Sequence, residues 1–436
     1  MIKIKTLSSH RKRAGMMFWL CHSAEMKKKK TIKPAKSKLT VLQQVCKLIP
    51  GHLAVRIARE TGVEDTARSF DPWSHLVTMI YTQIAHALSL NDVCDGLAMN
   101  EDALRAIRGA KVPSRNGLSH ANKVRDAAFA ERMYWGTLKH LQAQQADFRW
   151  HRIANHAYRF KRSVHLVDAT VTPLLANCMD WAKHRRRKAG AKCHLRLDLQ
   201  SMLPRFVCID TAAEHEATRA REVCEGLQAG EIAVFDKGYL DLEHMAALSS
   251  RGVFWVTRAK ENLAYEVLEQ RACPKGGKIL KDQEIVLKYY TPRKAYSEKL
   301  RLVVALVEVD GQEREMTFLT NHFSWSAQSV ADLYRCRWNI EVFFKTLKQT
   351  LQIADFLGYS ANAVRWQIWI ALLSELLLRF IAWRSQWSSA FVRLLTIVRA
   401  ALWRRWQILD LLACYGTARN AFRIRPQPEQ AYFAGF

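Results

Sequence analysis

The stretch "EIAVFDKGYLDLEHMAALSSRGVFWVTRAKEN" (231–262) decides the fold of this 436-residue chain. A short apolar run ends at Asp236, a segment of helical periodicity follows, and a second apolar run begins at Val253. Upstream, "SVHLVDATV" (163–171), "AKCHLRLDLQ" (191–200) and "LPRFVCIDTA" (203–212) read as strands, and "EHEATRAREVCEGLQ" (214–228) as a helix. Three strands, helix, strand, helix, strand predict an α/β chain with a mixed sheet covered by helices. Downstream, "KILKDQEIVLKYY" (278–290) and "EKLRLVVALVEVDGQEREMTFLTN" (298–321) are strand-like, with a turn at Asp310-Gly311. "SAQSVADLYRCRWNIEVFFKTLK" (326–348) then predicts one long helix, capped by Ser324 or Ser326. Before the sheet, "TVLQQVCKLIPGHLAVRIARE" (40–60), "PWSHLVTMIYTQIAHALSLNDVCDGL" (72–97) and "SHANKVRDAAFAERMYWGTLKHL" (119–141) are helical and strand-poor, with starts expected at Asp71-Pro72 and Ser119.

These textures divide the chain into a basic arm (1–38), a small all-helical, DNA-binding domain (39–155), a first core segment (156–262), a β-rich insertion (263–323), carboxy-terminal core helices (324–385) and a helical tail (386–436). Lys and Arg outnumber Asp and Glu by 67 to 40, for a formal charge of +27 and a pI near 9.9, so the expected partner is a polyanion, with nucleic acid ahead of a membrane surface. The ten cysteines include no C-x-x-C pair and no Cys/His ligand spacing, which reads as small buried apolar residues in a reducing compartment. Met26 opens "MKKKKTIKPAKSK", a more natural start than Met1, so residues 1–25 are expected to be an over-long gene prediction rather than a signal peptide. "VRWQIWIALLSELLLRFIAW" (364–383) is apolar enough to suggest a membrane helix, but Arg365, Gln367, Glu375 and Arg379 inside it favour a buried helix. The tail "WRSQWSSAFVRLLTIVRAALWRRWQILDLLACYG" (383–416) pairs aromatic and basic residues at helical spacing, which suits packing on the core, or a subunit contact.

Three carboxylates stand out. Asp168 ends the run "VHLVD" and Asp236 ends "IAVFD"; sheets of this kind gather functional groups where strands deliver side chains to their carboxyl edge. Each alone is an ordinary turn residue. The third is Glu341, alone in a basic stripe. At about 100° per residue Tyr334, Arg337, Glu341 and Lys348 fall within roughly 60° of one helix face, where an i, i+4 Arg–Glu pair by itself is a common solvated feature. Together the three make a hard-oxygen set suited to Mg2+, and two such ions about 3.5–4 Å apart support in-line phosphoryl displacement. Arg258, Lys260, Arg337 and Lys348 supply the cations that let such a cluster approach DNA phosphates.

The spacing Tyr334-x2-Arg337-x3-Glu341-x6-Lys348 resembles the Tyr-Arg-Glu-Lys signature of bacterial insertion-sequence DDE transposases of the IS-four type. "HLVDAT" (165–170), "FDKGYLD" (235–241), "FWVTRAKEN" (254–262) and "FLTN" (318–321) resemble that family in its order, and "VLQQVCKLIP" (41–50) through "PSRNGLSHANKVRD" (113–126) resembles the helical domain of one branch. The resemblance spans about residues 40 to 385. It implies an RNase H-like catalytic core interrupted by the β-rich insertion. It implies a metal-binding catalytic triad of Asp168, Asp236 and Glu341, holding two Mg2+ ions with Mn2+ able to substitute. Tyr334, Arg337 and Lys348 match positions that hold phosphates beside a flipped base. Lys237 stands where the family often has Arg, keeping the charge but not the bidentate fork. For the aromatic that stacks on the base, Phe318 and Trp325 are candidates, with core packing the simpler role for both. His194 and His215 fall in shared segments and read as hydrogen-bonding residues, since Mg2+ prefers oxygen.

The function implied is binding of terminal inverted repeats, Mg-dependent hydrolysis at the element's ends and joining of the 3′-hydroxyl to target DNA. The implied partner is double-stranded DNA, both ends and target, with a homodimer in the end complex, no membrane and no small-molecule substrate, in the bacterial cytoplasm at the nucleoid. Two alternatives stay open: a metal-dependent nuclease of the same fold that cannot join, and a catalytically silent DNA-binding repressor.

Overall fold

The computed structural model describes residues 33–64, 69–145, 147–148, 160–174, 183–185, 188–211, 216–273, 277–309, 311–350 and 357–415. Most of the basic arm, His215 and residues 416–436 of the tail lie outside them. Among the described residues ten strands form one sheet: β1 Val164–Leu174, β2 Lys183–Arg185, β3 Lys188–Asp198, β4 Pro204–Thr211, β5 Ile232–Phe235, β6 Phe254–Arg258, β7 Tyr265–Gln270, β8 Ile279–Leu287, β9 Leu300–Val309 and β10 Gln312–Thr320. The chain order 4-3-1-5-6 across the core, with β1, β3 and β4 antiparallel and β5 and β6 parallel to β1, is RNase H-like. Every residue of β5 is buried, as expected of a parallel strand covered on both faces.

The insertion is not a separate sheet. β10 pairs antiparallel with β6, Phe318 opposite Arg258 and Thr320 opposite Val256, so the order continues 6-10-9-8-7. The β9–β10 turn is tight, Val309 facing Gln312, and Gly311 takes the positive φ of 73° that such a turn requires.

Among the described residues the helices before the sheet are α1 Val41–Cys46, α2 Gly51–Glu60, α3 Pro72–Ala85, α4 Leu90–Ala98, α5 Glu101–Arg105, α6 Arg115–Val124 and α7 Ala128–Gln144. α3 starts as expected: Asp71 caps it, accepting from the Ser74 N–H at 2.7 Å, with Pro72 in the first turn. α6 starts at Ser114 rather than Ser119, because the Ser114 hydroxyl accepts from the Gly117 N–H at 3.1 Å. α8 Glu216–Val223 and α9 Leu242–Ser250 connect the core strands, α10 Tyr290–Ala295 lies in the insertion, and α11 Ala327–Cys336, α12 Trp338–Thr350, α13 Ala361–Arg384, α14 Phe391–Ala400 and α15 Ile408–Tyr415 follow.

α13 passes the length and hydropathy test for a membrane helix, yet 94% of its apolar window is buried inside the protein, against α3 and α7. Its Glu375 and Arg379 are paired to each other and buried, which is how charges survive in such a helix. One continuous core therefore runs from the amino-terminal helices through α13 to one face of the sheet. The described part of the tail packs on the same chain, with the Val41 and Leu42 N–H groups donating to the carbonyls of Arg404 and Leu402.

Candidate active site

β1 and β5 are parallel neighbours with Val167 opposite Phe235, so the next residues, Asp168 and Asp236, stand side by side where both strands end their shared pairing. Past β5 the chain turns through a short 3-10 segment, Lys237–Tyr239, capped by Asp236. Tyr239 anchors that turn: it is buried, and its hydroxyl bonds the Nδ1 of the buried His194 on β3 at 2.9 Å. His194 thus has a hydrogen-bonding role, and burial lowers its pKa to about 4.

The third carboxylate arrives on α12, which packs on β1. The single long helix expected from the sequence is two helices, interrupted at Arg337, where the bonds tighten to i, i−3 (Arg337 N–H to Tyr334 O and Ile340 N–H to Arg337 O, both 3.0 Å). At the junction the Arg337 guanidinium bridges two carboxylates, Nη1 donating to Asp168 Oδ2 at 2.7 Å and Nη2 to Glu341 Oε1 at 2.5 Å. The Tyr334 hydroxyl donates to Asp236 Oδ1 at 3.4 Å, and its ring rests on Phe318, 4.9 Å between centroids. Asp168, Asp236, Glu341 and Arg337 line one open cavity of about 570 Å3 together with Ala169, Thr170, Phe344, Lys345 and Lys348.

Burial pushes the Asp168 carboxyl up to about 7 against the pull of Arg337, with Asp236 and Glu341 adding to the rise. Burial also opposes the charge on Arg337, but Asp168, Tyr334, Glu341 and Asp236 outweigh it and hold the guanidinium above its usual range. Three carboxylates share the cavity with Arg337, Lys345 and Lys348, and only Arg337 bridges two of them. The donors are hard oxygens, a ligand type that fits a divalent ion such as Mg2+. Among the described residues no three acidic, His or Cys side chains yet stand close enough to hold one ion together, since Arg337 lies between Asp168 and Glu341.

The other expected residues are distributed unequally. Lys348 reaches the cavity wall but spends a bond on the Val171 carbonyl of β1 at 2.7 Å, and burial lowers its pKa. Lys260 donates to the Leu240 carbonyl at 3.3 Å, Arg258 ends β6 opposite Phe318, and Lys237 is exposed on the 3-10 turn. None of these three lines the cavity. Both stacking candidates are packed, the simpler role expected of them. Phe318 is fully buried beneath Tyr334 and presents no face to a base. One face of Trp325 is taken by His322, ring centroids 3.7 Å apart and nearly parallel, and Phe254 and Phe160 pack against it.

Sequence reasoning missed Trp338 and Lys345. Trp338 is 61% exposed, and Lys345 lies seven residues on, about 20° away around the helix. Lys345 lines the cavity, and Trp338 lies about two turns before it on the same side of the helix, outside the lining. The signal was available: beside the helical stripe read for charge, about 40° around the helix, stands an aromatic that no apolar periodicity requires.

Residues 159–377 match the family described as the transposase DDE domain, and residues 37–107 match a domain of unknown function. The protein y4zB of Sinorhizobium fredii, named as a transposase, is 32% identical over 273 residues, 62% of this chain and 75% of its own. The transposase for insertion sequence element IS231E of Bacillus thuringiensis is 22% identical over 367 residues, covering 73% and 74% of the two chains. Among solved structures, the piggyBac transposase in a synaptic complex with hairpin DNA aligns with a TM-score of 0.43 and 8% identity, over 85% of this chain and 83% of its own. With its DDE domain spanning half its length, this chain belongs to the bacterial insertion-sequence DDE transposases, enzymes that act on DNA.

Proposed function

We propose that this transposase binds the terminal inverted repeats of its own element, cleaves the ends by hydrolysis and joins the freed 3′-hydroxyl to target DNA. The observation that carries the reading is the gathering of Asp168, Asp236 and Glu341 around one open cavity, delivered by two adjacent parallel strands and one helix. Asp168, Asp236 and Glu341 would hold divalent metal, Mg2+ or Mn2+ in its place, which would supply activation of the attacking oxygen and stabilisation of the leaving one. Arg337 and Lys345 bind the phosphates flanking the scissile bond, Arg337 through a fork that matches two phosphate oxygens. Lys348 fixes α12 to β1, and Tyr334 orients Asp236. The amino-terminal helices contact the repeat, and two copies act together because an element has two ends. A chain of this charge resides with the nucleoid.

The test is Asp236→Ala on a substrate carrying the element's end. Cleavage should be lost while end binding, measured by mobility shift, is kept. Metal-dependent cleavage by the variant removes Asp236 from the reacting set. A precut 3′-hydroxyl end then asks about joining, and wild-type protein that cuts but never joins it is a nuclease.

A further inference from the structure

Both oxygens of Asp168 are already engaged, Oδ1 by the Ala169 N–H at 2.8 Å and Oδ2 by Arg337. Glu341 Oε1 is held by the other arm of the same guanidinium. An ion placed between Asp168 and Glu341 meets a guanidinium already bonded to one oxygen of each, so guanidinium and metal compete for that space. Simple repulsion adds to the competition, because a dication entering beside Arg337 meets a cation buried at 14% side-chain exposure, where water screens poorly. Arg337 also has somewhere to go. Its Nε–H is buried without a hydrogen-bond partner, and a phosphate at the cavity mouth offers the two-oxygen acceptor that the fork now finds in two separate carboxylates.

We infer that Arg337 is a positioning residue that closes the Asp168–Glu341 pair to divalent metal in the free protein and releases it when a DNA phosphate takes its guanidinium. Metal therefore loads onto the DNA-bound site in preference to the free one. This rests on the metal-binding reading of the three carboxylates. It gives the signature arginine two successive partners, and it protects DNA from a site that would otherwise be charged with metal before the correct substrate is seated.

The experiment is Mn2+ binding to the full chain without DNA, followed by electron paramagnetic resonance of the unbound ion. Arg337→Gln should bind Mn2+ about tenfold more tightly than wild type, equivalent to about 1.4 kcal/mol, with Arg337→Lys between the two. Asp168→Asn in the Arg337→Gln background should remove the gain. Equal or weaker binding by Arg337→Gln overturns the inference. Should that variant fail to fold by circular dichroism, Arg337→Lys carries the test, and binding no tighter than wild type overturns it. If Asp168→Asn leaves the Arg337→Gln affinity unchanged, the ion lies elsewhere and the metal-binding reading itself fails. Coupling is reciprocal, so Ca2+ at matched ionic strength should tighten wild-type binding of a short labelled duplex, and Arg337→Gln should lose that response. A wild-type affinity indifferent to Ca2+ overturns the coupling.

Discussion

Trp338 is the residue whose exposure has the plainest consequence. At 61% exposure it contributes little to the core, so Trp338→Ala should change stability by no more than about 0.5 kcal/mol. It shares a side of α12 with Lys345, which lines the cavity, so a strand seated along that side of the helix would meet it. Stacking on a base is worth about 1–3 kcal/mol, so the variant should bind end DNA about tenfold more weakly by fluorescence anisotropy while melting like wild type. Unchanged affinity returns Trp338 to an ordinary surface residue. The contrast with Asp168 and Asp236 explains what the sequence could reveal at this scale. Those two were legible because the runs before them are apolar and strand-long, and a parallel sheet brings such run-ends together. The bridge from Arg337 to Asp168 crosses 169 positions in sequence, and periodicity carries no information about a contact between elements. Phe318 and Trp325 stayed open between two roles for the same reason: an aromatic in a strand-rich stretch looks alike whether it faces a ligand or, as here, Tyr334 and His322.

The elements bind the insertion to the site more tightly than its sequence position suggests. Arg301 of β9 is 1% exposed and makes a bidentate pair with Asp282 of β8, at 2.8 and 2.7 Å. Its Nη1 also donates to the carbonyls of His322, Phe323 and Trp325, at 3.3, 3.2 and 2.6 Å. Arg271 adds a second grip on the Phe323 carbonyl at 2.6 Å. These bonds fix the turn that leads into α11, and α11 carries Tyr334 to Asp236. Arg301→Met leaves the buried Asp282 without its partner and strips the turn, so it should lower unfolding free energy by about 3–5 kcal/mol. Arg301→Lys keeps the charge but loses the fork and should recover only part. Urea denaturation showing a loss below about 1 kcal/mol for Arg301→Met would mean that the turn holds itself. The strands of the insertion were readable from their alternation and the Asp310-Gly311 turn. Their fusion to the core through β6 and β10 was not, because register between distant strands is set by packing rather than by either sequence alone.

Across the whole molecule, burial of histidines sets how the fold responds to acid. His75, His194 and His244 are 0%, 0% and 3% exposed, in the amino-terminal helices, the core sheet and α9. Burial lowers their pKa from 6.5 to about 3, 4 and 4. His75 shows why the sites are kept neutral: its ring packs on Trp366 of α13, 4.2 Å between centroids, and its Nε2 meets the Asn122 side chain at 2.8 Å, joining α3, α6 and α13. The direction of the pH effect follows from which state binds the proton. Below pH 6.5 the unfolded chain protonates these rings while the native state refuses until about pH 3–4, so stability present at neutral pH is lost as pH falls through 6.5. Each ring contributes about 2 kcal/mol of loss between pH 7 and pH 5. Asp168 acts oppositely. Its native pKa near 7 exceeds the usual 3.8, so the native state takes that proton first and acidification over the same window stabilises it. His322 and His165, also lowered by burial, add to the losses, and Glu131 and Glu375, raised by burial, join Asp168 among the gains; among the described residues five lowered histidines against three raised carboxyls predict a melting temperature that falls from pH 7 to pH 5. His75→Gln should flatten that fall, because Gln can meet Asn122 without a titrating proton. A melting temperature constant across the window, or a His75→Gln slope equal to wild type, would show that these rings become charged in place and that the helical region is not joined to α13 through a neutral His75.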